Sequence, residues 1–315
     1  MIDKPISIIV PCYNEEQVIR ETHLQLSNVL KKHFNNYEVI FVNDGSKDNT
    51  LNILNKLAKE DKHLKIINFS RNFGHQPAVS AGIDNCNGDY AIIMDADLQD
   101  PPQCIPDMVA LAIAEQANVV YGVRKTRKGE TLFKKITAKY FYQLLNYFSE
   151  INIPIDTGDF RLIDKKIIKQ YKKLKERNKF IRGLISWIGY KQIPFFYDRD
   201  ARLAGETHYP FTKMFAFAIK GLLYFSKHPL YIAINIGLSC VVLSVLYFLV
   251  FVVLKLTRPE MVVQGWTSLV GLLVFLGGLQ LLGIGLIGVY IGNMFDEIKA
   301  RPEYIIDDID DDIEN

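Results

Sequence analysis

The sequence predicts an α/β domain built on a mostly parallel sheet, followed by two membrane-crossing helices. Two observations carry that prediction. Residues 6–123 alternate short, β-branched apolar runs with helical stretches, the pattern of strands buried on both faces and joined by crossover helices. Beyond residue 227, two long segments hold no acid, lysine or arginine. Each exceeds the roughly 20 residues that cross the hydrocarbon of a bilayer.

Taken in order, the strand candidates are "ISIIVPC", "YEVIFVN", "LKIINFS", "YAIIMDA" and "NVVYGV". Helical stretches separate them, among them residues 15–33 and 48–62. In such sheets the ligand sits beyond the carboxyl ends of the strands, and the polar residues fall there. The first strand leads into Tyr13, Asn14 and Glu15, the second into Asn43, Asp44, Gly45 and Ser46. The third leads into "SRNFG", the fourth into Asp95, Ala96 and Asp97, and the fifth ends at Gly122 and Arg124. Each has a plain structural alternative: Asp48 or Ser46 can cap a helix, and Pro101–Pro102 can open one. Their convergence on one edge is what points to a ligand site.

Asp95 and Asp97 lie two residues apart, so extended backbone turns both to one side. Paired carboxylates repel unless a cation sits between them or one is protonated. Hard oxygen donors suit Mg²⁺ or Mn²⁺ shared with substrate phosphates. Asp100 is a further ligand or a helix cap, with the cap preferred.

The apolar segments are residues 228–254 and 261–295, joined by the short link "KLTRPEMV". Lys213, Lys220 and Lys227 precede the first, and Lys299 and Arg301 follow the second. That excess of bases places both flanks in the cytoplasm. Gly288 and Gly292 form a GxxxG, which lets this span pack closely against the other span or against a second copy in a homo-oligomer. Residues 211–227 repeat lysine every seven positions among apolar residues. They form an amphipathic helix, at the headgroup level or packed on the preceding domain.

Lysine and arginine number 37 against 35 aspartate and glutamate, a net charge of +2. From Glu303 onward there are seven acids and no base, so the remainder carries +9. A basic body suits an anionic surface or anionic substrates, and the acidic end reads as a solvated, disordered tail. The four cysteines show no CxxC or metal spacing and are expected as free thiols. The N-terminus "MIDKPISIIVPCYNEE" shows no basic n-region and no small-residue cleavage site, so it is expected to start a folded domain and not to be a signal peptide.

Seven motifs in order, "VPCYNEE", "VNDGSKDNT", "SRNFG", "DADLQDPP", "GVR", "DTGDFRL" and "RLAGETHYP", followed by two spans and "RPEY", resemble the family 2 glycosyltransferases. More narrowly, the chain is similar to the polyprenyl-phosphate glycosyltransferases. The resemblance implies a GT-A, Rossmann-like catalytic domain over residues 1–210. The juxtamembrane helix 211–227 would follow, then two transmembrane helices within 228–295 with an external loop near 255–261, and an acidic cytoplasmic tail 296–315. It implies an inverting enzyme of the cytoplasmic membrane. The donor would be a nucleotide-diphospho-sugar and the acceptor a polyprenyl phosphate such as undecaprenyl phosphate.

By the same resemblance, Pro11, Tyr13, Glu15 and Asp44 hold the nucleoside. Asp95 and Asp97, with Gln99 alongside, hold Mg²⁺ or Mn²⁺. Arg124 and Arg202 balance the leaving diphosphate, and Arg202 could equally meet the lipid phosphate. Asp159 is the candidate base or an orienting charge; Asp156 competes with it, and Arg161 pairs with either. His208 stands where the family pattern leads one to expect lysine. UDP-glucose is the favoured donor, with UDP-N-acetylglucosamine and GDP-mannose as alternatives. A non-catalytic membrane scaffold is the rival of a different class, and no nucleic-acid partner is expected. A processive polysaccharide synthase would carry QxxRW, and neither Trp187 nor Trp266 ends one. No GxGxxG of a dinucleotide-binding oxidoreductase follows the first strand.

Overall fold

The computed structural model of the chain describes residues 2–124, 157–176, 179–198 and 266–310, with scattered positions between 230 and 257. The chain divides into two compact units. The first holds the sheet and includes the residues from Arg301 onward; the second holds the long apolar helix.

Eight strands form one sheet in the order β7-β5-β6-β4-β1-β2-β3-β8. β1 (Ile6–Cys12) and β2 (Tyr37–Asn43) are buried along their whole length, as continuous apolar runs at the centre of a parallel sheet must be. β1 pairs in parallel with β2 and with β4 (Tyr90–Ile93), and β2 with β3 (Leu64–Phe69). β5 (Val119–Arg124) pairs in parallel with β7 (Gln192–Tyr197). Between β4 and β5 lies β6 (Thr157–Asp164), antiparallel to both. That inserted strand carries Asp159 to the edge where the parallel strands end.

Helices α1 (Ile19–His33), α2 (Thr50–Glu60), α3 (His75–Asp84) and α4 (Ile105–Ala114) make the crossovers. Short helices α5 (Lys165–Tyr171) and α6 (Ile181–Ile188) precede β7. The core beneath them is apolar, with Ile8, Val10, Phe41, Leu54 and Ile92 fully buried. Gly82 lets α3 lie directly on β1, because a Cβ there would stand 2.2 Å from Ile9 Cγ2.

Two helices start later than their sequence patterns. α1 begins at Ile19 because the backbone before it is committed elsewhere: Glu15 N–H donates to Thr50 Oγ1 (2.9 Å) and Glu16 N–H to Asp48 Oδ2 (3.1 Å). α2 begins at Thr50, where Asp48 accepts both the Thr50 N–H (3.0 Å) and its hydroxyl (2.6 Å).

The acidic end departs from expectation. Ile306–Asp310 forms β8, an antiparallel edge strand on β3. Main-chain pairing supplies the order that composition argues against, and outward aspartates keep the edge from pairing with another sheet.

In the second unit, α7 (Trp266–Lys299) runs 34 residues, on the order of 50 Å at 1.5 Å per residue. Its apolar side chains, among them Leu273, Phe275, Leu281, Ile284, Ile291 and Met294, are exposed. Phe275–Lys299 is the one helix among the described residues long and apolar enough, by length and composition, to cross a membrane. Every described position between Leu230 and Thr257 is helical. Most of the first expected span, the external loop and all of residues 211–227 lie outside the described residues.

Candidate active site

The loops after β1 and β2 are sewn together at the carboxyl edge of the sheet. Asn14, with φ of 55°, donates from its backbone N–H to Ser46 Oγ (2.9 Å) and accepts from Lys47 N–H at Oδ1 (2.8 Å). Asp44 is buried, and its two oxygens accept the N–H groups of Phe73 (2.6 Å) and Gly74 (2.9 Å). Burial raises its pKa although both donors and the nearby His75 and Arg71 favour the charged form. The carboxylate thus shapes the "SRNFG" loop from beneath. Gly45 makes that approach feasible, with φ of +63° and room for no Cβ, which would meet Arg71 C at 2.4 Å. Pro11 pairs with Val42 just before the end of β1, and Tyr13, the first residue after that strand, is exposed.

The turn after β4 is held by α1, whose Thr22 hydroxyl donates to Ala96 O at 2.7 Å. Asp97 is nearly buried and accepts the Gln99 N–H at Oδ1 (3.1 Å) across Leu98, which takes φ of 56°. Asp95 Oδ1 meets His75 Nε2 at 3.0 Å. The other ring nitrogen of His75 lies 3.9 Å from Asp159 Oδ2. Burial works against a charged imidazole, but the Asp95 hydrogen bond and charge, with Asp159 behind, raise His75 to about 9. In return His75 holds Asp95 below the usual carboxylate range against its own burial.

Arg182, in the first turn of α6, closes the cluster. Its Nε donates to Asp159 Oδ1 (2.7 Å) and its Nη2 to Oδ2 (2.9 Å), the two-point fork that guanidinium and carboxylate match best. Burial opposes the charge on Asp159. The Arg182 fork, then His75 and Arg161, outweigh it and hold the carboxyl far below its usual range. Arg161, expected as the partner of Asp159 or Asp156, donates through Nη2 to Gly158 O (3.1 Å) and adds its charge beside Asp159. It lies buried beneath Asp159, and burial pulls it down to about 10.

Asp100 corrects a second expectation. No side-chain cap serves the 3₁₀ turn Pro102–Cys104 or α4; instead the buried Asp100 Oδ1 accepts the Tyr197 hydroxyl. The end of β7 comes close enough to take the carboxylate for a tertiary contact. Arg124, ending β5, passes over Gly158, where a Cβ would stand 2.9 Å from Nη2. Its Nε is buried without a hydrogen-bond partner among the described residues.

The structure therefore brings Asp95, Asp159 and, next to them, Asp97 to one edge. His75 and Arg182 were missed in the sequence. His75 follows "SRNFG" directly, so its place at a strand end was a usable signal. Arg182 sits in an amphipathic stretch where an arginine reads as solvated. Arg202, Asp156 and His208 lie outside the described residues. Among the described residues, no three His, Cys, Asp or Glu side chains form a metal cage. Two hard carboxylates at one turn do fit a divalent ion that takes its remaining oxygens from a phosphate substrate and water.

The edge of the sheet thus gathers carboxylates from the turn after β4 and from β6, with Arg124 of β5 and Arg182 of α6 beside them. The chain belongs to glycosyl transferase family 2, whose family model matches residues 7–172, and it is a glycosyltransferase. It is 49% identical over 300 residues to the uncharacterized glycosyltransferase YkcC of Bacillus subtilis, covering 95% of this chain and 92% of that protein. It is 38% identical to the SfII prophage-derived bactoprenol glucosyl transferase of Shigella flexneri (96% and 97% covered). It is 39% identical to the prophage bactoprenol glucosyl transferase homolog of Escherichia coli (96% and 98% covered).

Proposed function

We propose that the chain is a membrane-bound, inverting glycosyltransferase that moves glucose from UDP-glucose to undecaprenyl phosphate at the cytoplasmic leaflet. The observation that carries this reading is the likeness, over nearly the whole chain, to proteins named bactoprenol glucosyl transferase. The exposed apolar helix supports a membrane setting, with the other span in residues 228–254. A homo-oligomer through Gly288 and Gly292 belongs to the same reading.

Pro11, Tyr13, Glu15 and Asp44 would border the nucleoside, with Asp44 acting through the loop it shapes. Asp95 and Asp97, with Gln99 alongside, would hold Mg²⁺ or Mn²⁺, which when bound neutralises charge on the diphosphate. Arg124 and Arg202 would stabilise the negative charge that develops on the departing nucleoside diphosphate. A phosphate monoester has its second ionisation near pH 6, so the acceptor arrives as an anion with its nucleophilic oxygen already free. Asp159, gripped at both oxygens by Arg182, is a weak base; it orients Arg182 and His75 and balances their charge. The acceptor oxygen attacks the anomeric carbon opposite the leaving group, the C1–O bond to the diphosphate breaks, and the anomeric configuration inverts.

The test is transfer of label from a panel of radiolabelled nucleotide sugars to undecaprenyl phosphate by the detergent-purified chain with Mg²⁺ or Mn²⁺. Label entering the organic phase from UDP-glucose, and lost with EDTA, is expected. Transfer only from another donor would change the sugar. Absence of nucleotide-sugar binding would sink the reading and favour a scaffold.

A further inference from the structure

The segment that follows the apolar helix in the chain, Arg301 to Ile305, does more than begin an edge strand. Glu303 inserts into the sheet unit, where its side chain and that of Lys179 are each only 9% exposed. Its two oxygens go to different elements. Oε1 accepts the Ser80 hydroxyl from the middle of α3 at 3.0 Å. Oε2 pairs with Lys179 Nζ, just ahead of α6, at 3.3 Å. Around this pair, Ser80 Oγ meets Tyr171 OH at 2.8 Å, and Lys179 Nζ lies 4.9 Å from the centre of the Tyr171 ring.

The neighbouring residues pin the segment in register. The Tyr304 ring stacks on Phe69 with centroids 5.1 Å apart, and its hydroxyl donates to Asp84 at 2.9 Å, near the end of α3. Ser70 N–H donates to Ile305 O at 3.1 Å, and β8 continues the pairing along β3.

What Glu303 joins matters for the site. α3 begins at His75, which faces Asp95 and Asp159. α6 carries Arg182 in its first turn, three residues beyond Lys179, and Arg182 forks onto Asp159. The two helix starts also touch directly, through Ile181 N–H donating to Gln76 Oε1 at 2.9 Å. A helix transmits displacement along its axis as a rigid element, so a carboxylate that fixes α3 and the entry to α6 also fixes the approach of their site residues.

We infer that Glu303 is a positioning residue for the transfer reaction: it sets the spacing of α3 and α6 and thereby holds His75 and Arg182 around Asp159. The inference rests on the proposed function for its catalytic consequence, but not for its structural one. It is tested on the full chain in detergent with Glu303→Ala, Glu303→Gln and Ser80→Ala. Steady-state transfer is measured, together with amide hydrogen exchange of residues 75–84 and 179–188.

Glu303→Ala is expected to lower kcat about 10- to 100-fold, as small misplacements of catalytic groups do, with donor KM changed less than about threefold. Exchange should rise at the starts of α3 and α6 and stay unchanged in β1 and β2. Glu303→Gln keeps an acceptor for Ser80 and is expected to recover part of the loss. Combined with Arg182→Ala, the Glu303→Ala loss should not add, since both act on the same cluster. If Glu303→Ala fails to fold, the milder Glu303→Gln and Ser80→Ala decide by the same readouts. Unchanged kcat, or unchanged exchange at both helix starts, overturns the inference. Should the unaltered chain transfer no sugar from any donor, the proposed function fails. The exchange pattern alone then supports or overturns the positioning role.

Discussion

Arg182 holds Asp159 by both oxygens, Nε to Oδ1 at 2.7 Å and Nη2 to Oδ2 at 2.9 Å, across 23 residues of chain. The grip gives the carboxylate a fixed plane and a counter-charge, and it leaves little basicity for proton removal. The catalytic expectations rest on this pair and on the turns that surround it.

Replacing Arg182 by lysine keeps a positive charge and loses the planar fork. Steady-state assays of Arg182→Lys should show kcat reduced about 10- to 100-fold with donor KM nearly unchanged. A wild-type kcat would mean that charge alone, without geometry, serves the site.

Asp159 is held well below its usual 3.8 by Arg182 in spite of burial. A depressed folded-state value contributes stability that is fully present above the unfolded pKa and lost as pH falls through the folded one. The stability difference between the unaltered chain and Asp159→Asn should therefore be largest near pH 5 to 6 and shrink below about pH 4. It should also decline above about pH 6.5, because Asp159 helps keep His75 protonated up to about 9 and that contribution is lost as the imidazole deprotonates. In kinetics, an acid limb near pH 6 belongs to the acceptor phosphate. It should keep its position in Arg182→Lys; a limb that moves with that substitution would restore Asp159 as the base.

Gly45 adopts φ of +63° with Arg71 C where a Cβ would be, at 2.4 Å. Gly45→Ala combines a left-handed backbone penalty of about 1–2 kcal/mol with overpacking of about 1–3 kcal/mol. Thermal melting should register that loss. Binding of the donor nucleotide should weaken as well, since the loops after β2 and β3 are forced apart.

Gly82→Ala tests the seating of α3 on the sheet. A methyl group 2.2 Å from Ile9 Cγ2 must push α3 off β1, at about 1–3 kcal/mol. Denaturant titration should show the lower midpoint with an unchanged slope.

Removal of divalent metal should abolish transfer, and Mg²⁺ or Mn²⁺ should restore it. Asp97→Ala should raise the metal concentration needed for half-maximal rate. Full activity in EDTA would assign the carboxylates at this turn to structure instead.

Much of this was legible in the chain itself. The runs read as strands at residues 6–12, 37–43 and 64–70 match β1, β2 and β3 within a residue, because a strand buried on both faces must be apolar throughout. Asp95 and Asp97 stood out because carboxylates directly after such a run are costly unless used. Three features were not legible. β6 enters between β4 and β5 against the parallel direction, a choice made by neighbours distant in sequence. Asp100 answers to Tyr197, 97 residues away. The acidic end, polar enough to read as disordered, gains its order from β3 and from the pocket that takes Glu303 and Tyr304.

Local periodicity and composition thus determined the α/β class, the strands and the edge where polar groups gather, since each depends only on which residues can be buried together over a few positions. The partners at that edge, Arg182 for Asp159 and His75 for Asp95, and those of Glu303 behind it, Ser80 and Lys179, were decided by tertiary structure alone. Charge pairing at about 3 Å depends on where whole helices come to rest, and no short stretch of sequence encodes that distance.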